Sequence, residues 1–239
     1  NIYVKLILNI VKKSLEKMEH LKYFYIKKKC LLKIMPCRPK RDNILITEIN
    51  ILILVINLPH RVDRLELIKK ELVDYDYIII EAIKTNLGCN LSHQKCIKYA
   101  IENNLEQVCI MEDDFKFIRK DKITIPNDFD MFFIGGDLTN YYPIKINNSY
   151  RLKNPVHRAE GYIIKKHYYK TYLNMLEECW EKLLKEPDNI NYRLDMYWEK
   201  LVLTDNWRMN EKGIYGCQRE GYSDIKQEYL KRTMRNVII

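Results

Sequence analysis

From residue 51 onward, apolar and polar positions fall into blocks with the lengths of strands and helices. ILILVINL at 51–58 is a continuous β-branched apolar run, stopped by Pro59, which predicts a strand covered on both faces. HRVDRLELIKKELV follows and sets Leu65, Ile68 and Leu72 at helical spacing, with Glu66 and Lys70 paired on the solvent side. Tyr77 to Ile80 reads as a second strand, so the chain opens as a βαβ unit. From a cap at Asn90 or Ser92, SHQKCIKYAIENN predicts a helix with Cys96, Ala100 and Ile101 on its apolar face and Ile97 beside them. Further strands are expected at Val108 to Met111, within FDMFFIGGD at 129–137 and at Gly161 to Ile164. Helices are expected from His167 to Lys185 and around Asp195, Tyr197, Trp198 and Leu201. The segment after Asp137, with Tyr141, Tyr142, Pro143 and Tyr150, reads as a flap over a site. The alternation predicts a Rossmann-like α/β fold with a central, mostly parallel sheet flanked by helices.

The strand from Val108 ends in three successive carboxylates, Glu112, Asp113 and Asp114. Acids at the carboxyl end of a buried strand lie where open α/β sheets bind ligands. Their mutual repulsion calls for a hard divalent cation such as Mg²⁺ or Mn²⁺, or for a basic partner. A solvated acidic turn is the plainer alternative. Continued alternation past the strand would put Glu112 and Asp114 on one face and Asp113 on the other.

Composition modifies this picture mainly at the amino-terminal side. Of a formal net charge of +9 over 239 residues, most lies in residues 1–50, which carry twelve basic and four acidic side chains. The remainder is close to neutral, so a nucleic-acid-binding core is not expected. Residues 1–42 form a basic extension, read either as a helix touching an anionic membrane surface or as a solvated segment, and the globular domain is expected at 43–239. Lysines interrupt the apolar positions of the extension, and neither a transmembrane helix nor a signal peptide is expected. Seven cysteines with no CxxC pair point to reduced thiols, and so to a cytoplasmic location or the cytoplasmic side of a membrane.

Several separated blocks together resemble one family. INLPHRVDR at 56–64, Gly88-Cys89 followed by Ser92-His93, MEDDF at 111–115, FDMFFIGG, EGYIIKKHYY, RLDMYW and CQREGYSDI stand in the order found in glycosyltransferase family 25, the lipopolysaccharide-type and collagen-type galactosyltransferases. The resemblance spans about residues 51–225 and implies a GT-A fold. It also implies inverting transfer of a hexose, galactose or glucose, from a UDP-sugar to a glycan or a hydroxylated side chain, with Mn²⁺ or Mg²⁺ as cofactor. On this reading Glu112 and Asp114 hold the metal, while Asn57, Arg61, Arg64, Ser92, His93, Asp113 and Gln218 line the nucleotide-sugar site. Asp195 is the expected general base, with Glu160 as its rival and Tyr197 and Trp198 as flat surfaces for a sugar. Arg61 and Arg64 have an alternative role as surface partners of Asp63 and Glu66, and Asp195 as a cap or a partner of Arg193. A domain of this type that had lost turnover would instead serve as a glycan- or nucleotide-binding module.

Overall fold

The computed structural model describes residues 51–231 except 86, 120, 122, 138–143 and 154–155. The expected extension at 1–42 and the flap residues Tyr141, Tyr142 and Pro143 lie outside the described residues. The strands are β1 (Ile53–Asn57), β2 (Tyr77–Glu81), β3 (Gln107–Glu112), β4 (Phe115–Phe117), β5 (Met131–Phe133), β6 (Ile144–Ile146), β7 (Ser149–Arg151), β8 (Gly161–Lys165), β9 (Trp207–Asn210), β10 (Gly216–Gln218), β11 (Gly221–Ser223) and β12 (Glu228–Leu230). The helices are α1 (Val62–Glu71), α2 (Gly88–Glu102), α3 (Tyr169–Lys185) and the short α4 (Leu194–Tyr197) and α5 (Glu199–Thr204).

The main sheet has eight strands in the order β2-β1-β3-β8-β5-β9-β7-β6. Six of them point one way, and β7 and β8 run against them. This is the mostly parallel α/β sheet expected from the sequence. Period-two alternation divides its side chains between two cores. Leu54, Ile56, Val108 and Ile110 pack with α2 and α3, whereas Ile53, Val55, Cys109 and Met111 pack with Ile68 of α1 and with Leu72 just past its end. Both faces being buried is why β1 reads as an unbroken apolar run, and each such side chain contributes roughly 1.5–3 kcal/mol.

Five local expectations are corrected. Helix α2 begins at Gly88, and neither Asn90 nor Ser92 caps it. The loop before it folds back so tightly that a Cβ at Gly88 would stand 1.8 Å from the Ile83 carbonyl oxygen, a position only glycine occupies. Ile101, in the last turn of α2, projects past the packed face and is 46% exposed. Glu66 pairs with Lys69 at 2.9 Å instead of with Lys70. The helix expected around Asp195 is split into α4 and α5 at Trp198, whose ring is fully buried and whose indole N–H donates to the Val156 carbonyl at 2.9 Å. Trp198 is therefore part of the aromatic core with Phe133, Tyr162 and Trp207, and not a surface for sugar.

Phe115 leads the chain away from the sheet into β4, which pairs with β10 in antiparallel register, Phe115 opposite Gln218. The Phe115 ring lies against Gly135, Gly161 and Gly216, and a Cβ on Gly216 would meet it at 2.1 Å. That packing brings the late segment containing Gln218 to the carboxyl end of β3.

Candidate active site at the carboxyl end of β1 and β3

Parallel pairing of β1 with β3 puts Ile56 beside Glu112, and the Asp113 N–H donates to the Ile56 carbonyl at 3.1 Å. Asn57 therefore emerges next to the acids, and its Nδ2 donates to Asp113 Oδ2 at 2.8 Å. The first turns of α1 return over the same strand ends. Arg64 Nη1 donates to Asp113 Oδ1 and to Asp114 Oδ2, both at 2.9 Å, and its Nη2 donates to the Tyr222 carbonyl at 2.8 Å. Gln218 Nε2 donates to Asp114 Oδ2 at 2.7 Å.

Strand geometry stops at Glu112, so alternation does not continue through the acids. Asp113 and Asp114 converge on one guanidinium, and the expected pairing of Glu112 with Asp114 against Asp113 is corrected. Glu112 turns instead toward α2, with its Oε1 3.4 Å from His93 Nε2 and 3.7 Å from Cys89 Sγ. His93 is fully buried inside the helix, not at its start, and its Nδ1 lies 2.6 Å from the Tyr162 hydroxyl. Ser92 spends its hydroxyl on the backbone, donating to the Gly88 carbonyl at 2.7 Å and accepting from the Ile83 N–H at 2.9 Å.

Burial dominates the electrostatics. It pushes Asp114 up to about 7, helped by the charges of Glu112 and Asp113 and opposed by Arg64. Burial also raises Asp113. For Glu112 burial acts upward, but the contact with His93 and the charge of Arg64 hold the carboxyl below its usual value. Glu160 is completely enclosed and is pushed up to about 8 by burial and by Asp114. Among the described residues, neither Glu160 carboxyl oxygen nor Asp114 Oδ1, all three buried, has a hydrogen-bond partner.

Arg61 has a different task. It grips Asp63 at 2.8 and 2.9 Å and reaches Asp224 at 2.6 Å and the Tyr222 carbonyl at 3.0 Å, tying the late segment to α1. The hydrogen bond from Arg61 holds the Asp63 carboxyl down at about 2.

Two cavities meet at this point. One, of about 470 Å³, is lined by Arg64, Ser92, Asp113, Asp114 and Gln218 among others. The other, of about 600 Å³, is lined by Arg158, Asp188, Arg193, Asp195 and Lys226. Cys89, Glu112 and Gln218 belong to both walls. Asp195 Oδ2 accepts the Arg158 N–H at 3.0 Å, and Arg158 sits in the left-handed region with φ 69°. Asp195 thus faces a cavity, whereas its rival Glu160 is sealed from solvent.

The acidic end suits a hard divalent ion: Asp113 and Asp114 share one guanidinium, and Asp114 retains an oxygen without a partner among the described residues. Cys89, Arg158 and Tyr162 were not singled out as site residues from the sequence. Cys89 and His93 are spaced i,i+4 on one helix, the one local signal that pointed to their meeting.

Residues 84–134 match the family model of glycosyltransferase family 25 (LPS biosynthesis protein). The chain resembles glycosyltransferase family 25. The family match covers α2, β3, β4 and β5, and with them Ser92, His93 and all three acids. Sugar transfer is the general chemistry it supports. Asn57, Arg61, Arg64, Asp195 and Gln218 lie outside the matched stretch and are connected to it by geometry. No curated protein matches the chain. Among solved structures, a glycosyltransferase involved in the glycosylation of the major capsid of PBCV-1 aligns with a TM-score of 0.47 at 12% identity, covering 74% of this chain and 96% of the other. A197 from STIV aligns at 0.37 and 11% identity, covering 78% and 96%. A nucleoside-diphosphate-sugar pyrophosphorylase from Vibrio cholerae RC9 aligns at 0.35 and 12%, covering 66% and 71%. These overlaps are too loose to carry residue roles. Among the described residues no helix is long and apolar enough to cross a membrane.

Proposed function

We propose that the protein transfers a hexose, galactose or glucose, from a UDP-sugar to a glycan or a hydroxylated side chain, with inversion at the anomeric carbon. The observation that carries this reading is Asp114, buried beside Asp113 at the mouth of a cavity, with one carboxyl oxygen unpartnered. A divalent cation, Mn²⁺ or Mg²⁺, would be held there by Asp114 with Asp113 and would offset charge developing on the departing diphosphate. Arg64 lines the same cavity and offers a fork to phosphate oxygens, with Asn57 holding Asp113 in place. Arg61 acts from behind by fastening the Tyr222–Asp224 segment that closes the cavity. Asp195 on the adjoining wall takes the proton of the acceptor hydroxyl, and the larger cavity around Arg158 and Arg193 receives the acceptor. Gln218, shared by both walls, orients Asp114.

One feature favours a second reading. Arg64 already bridges both aspartates, as it would in a nucleotide-binding module that works without a metal or turnover. Calorimetric titration of UDP with and without Mn²⁺, beside Asp114→Asn, separates the two. Metal-dependent binding lost in the variant supports the transferase. Binding indifferent to Mn²⁺ supports the module, and no binding in either condition rejects both.

A further inference from the structure

The acidic pair does not account for the triangle of Cys89, His93 and Glu112 on the other side of β3. A thiol, an imidazole and a carboxylate present ligand atoms that all lie within 4.8 Å of one another. Of two edges, the 3.4 Å from His93 Nε2 to Glu112 Oε1 is long beside the 2.7–2.9 Å hydrogen bonds of the neighbouring aspartates, and the other runs 3.7 Å from Cys89 Sγ to the same oxygen. They match the edges of a tetrahedron around zinc, which are about 3.4 Å between nitrogen and oxygen and about 3.6 Å between sulfur and oxygen at ordinary bond lengths.

We propose that Cys89, His93 and Glu112 form a metal site for a borderline divalent ion such as Zn²⁺, separate from the oxygen-donor site at Asp113 and Asp114. The donor set decides the metal class: thiolate and imidazole select zinc or cobalt over Mg²⁺ and Mn²⁺. Supporting contacts orient the ligands. His93 is enclosed, with Nδ1 2.6 Å from the Tyr162 oxygen and Nε2 3.4 Å from Glu112; in the metal-bound form Nδ1 would carry the proton toward Tyr162 and Nε2 would give its lone pair to the ion. Tyr162 is thus a positioning residue. Helix α2 supplies Cys89 and His93 one turn apart, and β3 supplies Glu112, so the site pins the helix to the strand end. Cys89 and Glu112 line both cavities, so a fourth coordination position opens toward them, as in zinc sites that keep an exchangeable ligand. Glu112 is assigned here, and the expected pairing of Glu112 with Asp114 on a single ion is given up. The inference does not depend on the sugar-transfer reading.

The test uses the full chain, stripped with a chelator and titrated with Zn²⁺, and in parallel with Co²⁺ followed by absorption. One equivalent of zinc, together with a thiolate-to-cobalt charge-transfer band, is the expected result. Cys89→Ser, nearly isosteric, is expected to abolish that band and to weaken zinc binding at least about tenfold, and Tyr162→Phe to weaken it about 10–100-fold with the band retained. Asp114→Asn is expected to leave band and stoichiometry intact. Absence of stoichiometric zinc and of the band in the unmodified chain overturns the proposal. So does zinc binding unchanged by Cys89→Ser, or binding lost only in Asp114→Asn, which would place the ion at the acidic pair.

Discussion

At the scale of single residues, Arg64 bears on stability as much as on ligand binding. One guanidinium compensates two enclosed carboxylates, and removing it would leave both charges without their cation. Arg64→Ala is expected to cost about 3–5 kcal/mol in urea unfolding, and Arg64→Lys to recover only part, because an ammonium lacks the planar fork that reaches Asp113, Asp114 and Tyr222 together. For Asp195, the Asn variant can still accept the Arg158 N–H, so the left-handed turn survives while the base is lost. Asp195→Asn is expected to lower kcat roughly 10²–10⁴-fold with UDP affinity unchanged, read by steady-state transfer assays and calorimetry.

At the scale of elements, the β4–β10 pair is the joint that delivers Gln218 to Asp114. The Phe115 ring fills the space that Cβ atoms at Gly135, Gly161 and Gly216 would occupy. Gly216→Ala forces its methyl to within 2.1 Å of the ring, so either Phe115 or β10 must shift. The expected cost is about 1–3 kcal/mol, with UDP affinity falling as Gln218 withdraws. A substitution at Gly221, where no atom lies within 4 Å of an added Cβ, is the steric control, although its φ of 159° lies at the edge of the strained region.

For the whole molecule, enclosed acids couple stability to pH. Asp114 ionises near 3.8 when unfolded and at about 7 when folded, and Glu160 near 4.5 and at about 8. Between those values the native chain keeps a proton that the unfolded chain releases, so stability falls as pH rises through the window. Urea midpoints are expected to drop between about pH 5 and about pH 8 in metal-free buffer, and Glu160→Gln is expected to flatten the decline. If the globular domain runs from 43 to 239, as the sequence pattern proposes, a chain shortened to those residues is expected to unfold in one cooperative transition and to retain its nucleotide affinity.

Short-range physics made much of this visible in the sequence. A strand buried on both faces must be apolar throughout, so β1 and β3 were legible, and so was the place where Glu112, Asp113 and Asp114 end the apolar run. Gly88, Ser92 and His93 were recognisable as a block. Long-range contacts decided the rest. Trp198 and Tyr197 look alike in a pattern of aromatic residues, and only the Val156 carbonyl and the surrounding rings make Trp198 a core residue. Arg61 stands at the start of α1 and Arg64 in its first turn, and the returning Asp224 claims the first, leaving the second to face the cavity. The direction of Glu112 was the least accessible feature. Alternation holds only while the chain is a strand, and what Glu112 meets is set by a helix packed across the sheet. The residue types and their order are properties of the chain, whereas the partners of each charge are a product of packing.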